Sequence, residues 1–304
     1  MKKDTLKIIK RDMKRNWALY LLVIPVILFF FLFEYKPLYG ALIAFQDYRP
    51  ARGFGQNWVG FKHFIRFFEN PYFFRLIKNT LSINLLDLVL GFPAPIILAL
   101  LLNEMKGSKF KTVSQSIMYL PHFISTVVIC GMIVQFSLSD GIFNDIVAFF
   151  GGERQSLLQQ PAVYQPLYVI SGIWQNMGWN SIIFVAALAG VDKELYDAAS
   201  VDGAGKWKQT IHVTLPGIAP TIITMFILRI GRMMGVGHEK AMLLYNESIY
   251  ETADVISTYV YRYGLQNQQW SYSTAANLFN SAVNITLLVI ANKISRKVSE
   301  TSLW

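Results

Sequence analysis

The sequence predicts an all-α membrane protein with six spanning helices. Three observations predict it. Of its 304 residues 53% are hydrophobic and only 15% charged, with mean hydropathy +0.36; a soluble domain carries about 25% charge. Six apolar stretches approach the length of about 20 residues that crosses a hydrocarbon layer. Basic residues gather at the ends of alternate stretches, the pattern of cytoplasmic loops. The net charge of +9 could suit nucleic acid, but this distribution excludes it. The single cysteine, Cys130, sits inside an apolar run and excludes an internal disulfide framework.

The first element is a basic tail, residues 1–16, with Lys2, Lys3, Lys7, Lys10, Arg11, Lys14 and Arg15. The first span, "WALYLLVIPVILFFFLF", covers residues 17–33. A basic leader before an apolar run also describes a signal peptide. This run exceeds the usual core of about 7–15 residues and lacks a small-x-small cleavage site, so a retained anchor is expected. An extracytoplasmic segment follows, residues 34–80. In it Phe61, Phe64, Ile65 and Phe68 fall at i, i+3, i+4 and i+7, which predicts an amphipathic helix lying at the membrane surface.

The core, residues 81–291, holds the remaining spans at about 81–102, 113–136, 164–190, 215–235 and 275–291. Lys106, Lys109 and Lys111 mark one inner loop, and Lys193, Lys206 and Lys208 another. A cytoplasmic tail, residues 292–304, carries Lys293, Arg296 and Lys297. The outer loops at 140–153 and 239–254 are mostly acidic. Both termini are thus expected inside.

Polar side chains in these spans are costly and face a bundle interior or a wet cavity. The second span has Asn84 and Asp87, then Gly91, with Pro93 and Pro95 expected to interrupt or kink it. The fourth opens on "WQNMGWN", with Trp174, Gln175, Asn176, Trp179 and Asn180. The fifth carries Arg229 and Arg232. The sixth aligns Asn277, Asn280, Ser281 and Asn284 on one stripe. Singly, such groups most often hydrogen-bond neighbouring helices. Four helices bearing them predict a hydrated path. Aromatic rings beside amides suit a polyhydroxylated ligand: rings cover the apolar faces of a sugar and amides bind its hydroxyls. The two arginines suit an anionic group such as a uronate, or snorkel to the outer interface; both readings stay open.

A charged stretch, residues 192–216, interrupts the fourth and fifth spans. Leu195, Ala198 and Ala199 share a helical face, with Glu194 and Asp197 beside them. Asp192 caps the start and Gly203 frees the backbone for a turn. A second short helix follows, with Trp207, Ile211 and Leu215 on one stripe. Pro216 then opens the next span, where a helix tolerates it. The result is a compact inward-facing knob whose acids suit a partner's Arg or Lys.

Here the sequence resembles the membrane subunits of binding-protein-dependent ATP-binding-cassette importers. Their "EAA" loop reads E-A-A, three residues, G, nine residues, I-x-L-P. This chain has Asp197-Ala198-Ala199, Gly203, then Val213-Thr214-Leu215-Pro216, with both spacings kept. Asp replaces Glu and Val replaces Ile. "YKPLYGALIAFQDYRP", "WVGFKHF", "NPYFFRLIKNTL" and "YLPHFIS" extend the likeness over nearly the whole chain, to the carbohydrate branch and its complex-oligosaccharide subgroup. The resemblance implies a six-span type I importer fold in a bacterial cell membrane. It implies a second related permease, two cytoplasmic ATPase subunits, an extracytoplasmic sugar-binding protein and a sugar cargo. Glu194, Asp197, Ala198, Ala199, Gly203, Leu215 and Pro216 would form the ATPase-coupling knob. ATP and Mg would sit on the partners, with no cofactor on this chain, which has no G-x-x-x-x-G-K-[ST] loop.

His63, His122, His212 and His238 lack metal-ligand spacing, and no nucleophile motif appears. Neither a metal nor a catalytic residue is expected. "NES" at Asn246 reads as a chance glycosylation match, and "GRMMG", residues 231–235, has helix-packing spacing. The competing reading is a secondary transporter driven by an ion gradient, for which Asp87 and the arginines would serve. It leaves the knob unexplained and shows no internal repeat. An intramembrane enzyme would need a catalytic constellation that the spans lack.

Overall fold

The computed structural model describes residues 11–55, 57–105, 107–298 and 301–304. Lys2, Lys3, Lys7, Lys10 and Lys106, counted in the charge argument, lie outside them. Among the described residues the chain is helical, with no strand beyond one isolated bridge between Gln46 and Trp58.

Among the described residues four helices are long and apolar enough to cross a membrane: α1 Trp17–Phe45, α3 Phe73–Glu104, α9 Lys206–Ile230 and α12 Trp270–Val298. Between them lie α2 Lys62–Phe68, α4 Ser108–Tyr119, α5 Thr126–Phe136, α6 Ile142–Phe149, α7 Pro161–Ala189, α8 Lys193–Val201, α10 His238–Leu244 and α11 Ile256–Tyr261. The third expected span is not straight. A bend of 89° separates α4, with its short extension to Phe123, from α5. The cause is local: Pro121 tightens the end of α4, and Ser125 starts α5 afresh by accepting from the Val128 N–H. Helix α7 has 29 residues, ample length for a crossing, but its amides leave it less apolar than the other four.

No side chain of residues 17–33 is buried, so α1 offers apolar surface on every side. Only its last turns, Tyr39–Phe45, pack on α12. The expected surface helix is α2. It exposes Phe61, Ile65 and Phe68, but it is also docked: Phe67 is fully buried with Leu76, Tyr259 and Tyr272. A second cluster joins α3, α5, α7 and α10 around Ile83, Ile129 and Val169. A third joins α3, α7 and α9 through Ala99, Phe184, Leu188 and Ile218.

Two prolines expected to interrupt or kink α3 do not interrupt it. One π turn, Asp87–Gly91, precedes Pro93, and the Phe92 N–H reaches back to the Asp87 carbonyl at 3.0 Å. Such a turn absorbs the carbonyl that a proline displaces, so the helix continues. Residues 231–235, with their helix-packing spacing, lie just past the end of α9 rather than inside it. They turn the chain at the end of α9, and Gly231 there abuts Leu288 of α12, leaving no space for a side chain.

Candidate functional site

Helices α3, α7 and α9 enclose a cavity of ≈ 360 Å³, at the low end of the about 300–1,000 Å³ typical of small-molecule sites. A second recess of ≈ 170 Å³ joins it, sharing Asp87, Gly172, Asn176 and Arg229. The expected path residues Asn84, Asp87, Gln175, Asn176, Asn180, Arg229 and Arg232 line these spaces. Trp174, Trp179, Asn277, Asn280 and Asn284 do not.

The π turn sets the position of Asp87. Gly91, one turn on, has no side chain, and a Cβ there would collide with the Asp87 carboxylate. That carboxylate meets the Arg229 guanidinium of α9 in an ion pair. Both side chains keep contact with the cavity, about a third exposed. Arg232 lies in the turn after α9 and lines the same space.

The α7 residues divide between cavity and scaffold. Gln175 donates to the Ile124 carbonyl at 3.2 Å. A hydrogen bond of 3.0 Å joins Asn176 Oδ1 to His122 Nδ1, and the Trp179 indole stacks on the His122 ring at 4.6 Å. These three contacts pin the bend between α4 and α5 against α7. On α12, Asn284 accepts from the Met234 N–H at 2.9 Å and so fixes the turn that carries Arg232. Asn280 Oδ1 is buried without a hydrogen-bond partner.

Lys240 is a cavity residue that the sequence pattern hid in an acidic loop. Its ammonium donates to the Tyr168 carbonyl at 2.7 Å and lies 4.7 Å from the Tyr168 ring centroid. Burial pushes its pKa down to about 8, opposed in part by the Cys130 thiol. Asp254, from the same loop, is no solvated charge either: it is fully buried between Arg75 and Arg262. Asn246, in its "NES", is a structural cap, donating to the Leu158 carbonyl and accepting from the Ser248 N–H, each at 3.0 Å.

The knob is ordered by its own hydrogen bonds. Asp192 caps α8, accepting from the Glu194 N–H at 3.0 Å. At the other end the Ala204 N–H reaches the Ala199 carbonyl at 2.8 Å, and the Gly203 N–H the Ser200 carbonyl at 3.1 Å. This is a Schellman ending, and Gly203 holds its left-handed position at φ 75°. The glycine follows from helix termination itself. The expected second short helix is not separate. Residues Lys206–Ile230 form one helix, with a π turn at Thr210–Thr214 ahead of Pro216. Gln209 donates to the Ser200 hydroxyl at 2.8 Å, and Tyr196 pairs with Thr214 at 3.1 Å, so α8 is lashed to the base of α9. Lys206 bridges to Glu104 at the end of α3. Leu195, Asp197 and Ala198 face solvent, as do Val201 at 89% and Trp207 at 75% exposure.

The family described as "Binding-protein-dependent transport system inner membrane component" matches residues 91–300, which include the knob and much of the cavity wall. This chain belongs to that family. Among relatives of this inner membrane component, the polygalacturonan/rhamnogalacturonan transport system permease protein YteP of Bacillus subtilis is 44% identical, over 94% of this chain and 90% of its own. Protein LplB of the same organism is 45% identical over 96% and 92%. One solved structure is a bacterial alginate ABC transporter in complex with an alginate pentasaccharide-bound periplasmic protein. One of its chains superposes with a TM-score of 0.88 at 41% identity, covering 96% of this chain and 99% of that one. The permease fold is therefore the type I ABC importer fold. The family is one of transport permeases, not enzymes.

Proposed function

We propose that this permease carries a sugar, an oligosaccharide by the kinship, through the cavity between α3, α7 and α9, driven by ATP hydrolysed on separate subunits. One observation carries the reading. The knob at Asp197–Gly203 is lashed to a single 25-residue helix, about 38 Å long at 1.5 Å per residue. That helix bears Arg229 at its far end, in the cavity wall. A displacement of the knob is thus a displacement of the cavity wall.

Glu194, Asp197, Ala198 and Ala199 form the surface offered to an ATPase, with the exposed Val201 and Trp207 beside them. Exposed apolar groups on a charged knob suit a protein partner. Leu215 and Pro216 lie on α9, where the knob joins the span. Two ATPase subunits, a second related permease and an extracytoplasmic sugar-binding protein complete the machine, and ATP and Mg belong to the ATPases. Counting the bent α4–α5 pair and α7 as crossings gives six spans, with both termini and the knob in the cytoplasm. Closure of the ATPases would swing the knobs together and alternate the cavity between two rigid-body states.

Proteoliposomes test this. Uptake of an oligosaccharide should require ATP, the ATPases, the second permease and the binding protein together. Uptake on an ion gradient alone would overturn it in favour of a secondary transporter.

A further inference from the structure

We propose that the cavity reads the acid groups of a saccharide, and that Asp87 is a built-in competitor for the carboxylates it admits. The inference rests on the transport reading above and adds the charge class of the cargo. Four charged side chains line the two joined recesses: Asp87, Arg229, Arg232 and Lys240. Three cations face one anion. Neither Arg232 nor Lys240 has an acidic partner among the described residues. Charges at such depth are costly unless paired or wetted. A neutral sugar leaves the excess standing, whereas each uronate unit brings one carboxylate. Its two oxygens match a guanidinium fork, and the ammonium of Lys240 adds a point charge nearby.

The cavity wall itself already contains that chemistry. The π turn and the bare Gly91 hold the Asp87 carboxylate against Arg229. Cargo that reaches Arg229 exchanges one carboxylate for another, and the released Asp87 then repels it. Transport needs this balance, because a site that binds too well does not let go. The exchange makes Arg229 a reader of acid groups that is never left bare, while Arg232 and Lys240 supply the net attraction.

The test uses Met177→Cys, a cavity position, in a Cys130→Ala background free of other cysteines. In membranes holding the complete transporter, a uronate trisaccharide and its carboxyl-reduced counterpart are titrated as protectants against a thiol reagent. The uronate should half-protect at a concentration at least about tenfold lower, the scale of one charge-assisted hydrogen bond. Asp87→Asn should lower that concentration further for the uronate and not for the neutral sugar. Arg229→Gln or Arg232→Gln should shrink the difference between the two sugars. Equal protection by both sugars in the wild type, or weaker uronate protection in Asp87→Asn, overturns the inference. If Asp87→Asn fails to reach the membrane, Asp87→Asn with Arg232→Gln keeps the net cavity charge, and its comparison with Arg232→Gln alone decides. Equal protection with ATP-driven uptake intact sinks this inference only. Absence of ATP-driven uptake of any saccharide sinks the transport reading instead.

Discussion

Replacing Asp254 by asparagine probes how the loop at 239–254 is held beside the cavity. Asp254 is fully buried. Its carboxylate accepts from Arg262 at 2.8 Å, from Arg75 at 3.4 Å and from the Thr258 hydroxyl at 2.9 Å. Its carbonyl accepts from Asn79 of α3 at 3.0 Å. Asparagine keeps the size and removes the charge, so two arginines face no anion. Breaking a buried ion pair from one side costs about 3–5 kcal/mol. The lower end applies here, about 3 kcal/mol, for two reasons. The arginines retain 30% and 19% exposure, and Arg262 also lies 4.7 Å from the Tyr250 ring centroid. Each kcal/mol shifts the melting midpoint by roughly 1.5–2 °C in a chain of 304 residues, so Tm should fall by roughly 5–6 °C. Thermal unfolding of the purified protein in detergent measures it. The double variant with Arg262→Gln should lose less than the sum of the single losses, by at least about 0.5 kcal/mol. An Asp254→Asn midpoint within about a degree of wild type, or strict additivity, would refute the buried lock.

Three further outcomes follow from the structure. Gly203→Pro and Asp197→Lys should each leave the protein in the membrane yet abolish ATP-driven uptake, the first by breaking the left-handed turn and the second by reversing the knob's charge; wild-type uptake in both would remove the coupling role. Phe67→Ala should destabilise by about 3–5 kcal/mol, because the ring is fully buried; Phe68→Ala, on an exposed ring of the same helix, should cost far less in the same melt. The Lys240 pKa is lowered to about 8, so its charge is present at pH 7 and lost as pH rises through 8 toward 9. Tyr168, Asp87 and Arg229 line the same recess, and the Cys130 thiol lies close enough to influence the ammonium. Uptake of an acidic saccharide should fall across that window in the wild type and stay flat in Lys240→Gln; equal profiles would refute the assignment.

Much of this was legible in the sequence. The knob showed because a charged stretch interrupts apolar runs, and because its glycine and proline mark a turn and a helix start. Asn84, Asp87, Arg229 and Arg232 showed because polar groups in apolar helices are costly. The rest depended on which way a side chain turns and on contacts between distant segments. Asn284 obeys the same polar signal as Asp87 but caps a backbone N–H in a turn. Trp179 reads as a sugar platform, and its stack on His122 leaves no trace in the residue spacing. Lys240 and Asp254 sit in a stretch that composition alone makes a solvated loop, and only its folding back against α3 and α7 buries them. The π turns at Asp87 and Thr210 left no mark beyond the prolines that follow them. The bend before α5 was hidden in a run whose apolarity continues across it.

The most direct measurement places a cysteine at Ala198 in a Cys130→Ala background and cross-links it in native membranes under ATP and under nucleotide-free conditions. The account predicts capture of an ATP-hydrolysing subunit, with a yield that changes with nucleotide. No capture in either state, or labelling of that cysteine by an impermeant reagent from the outer face, would contradict it.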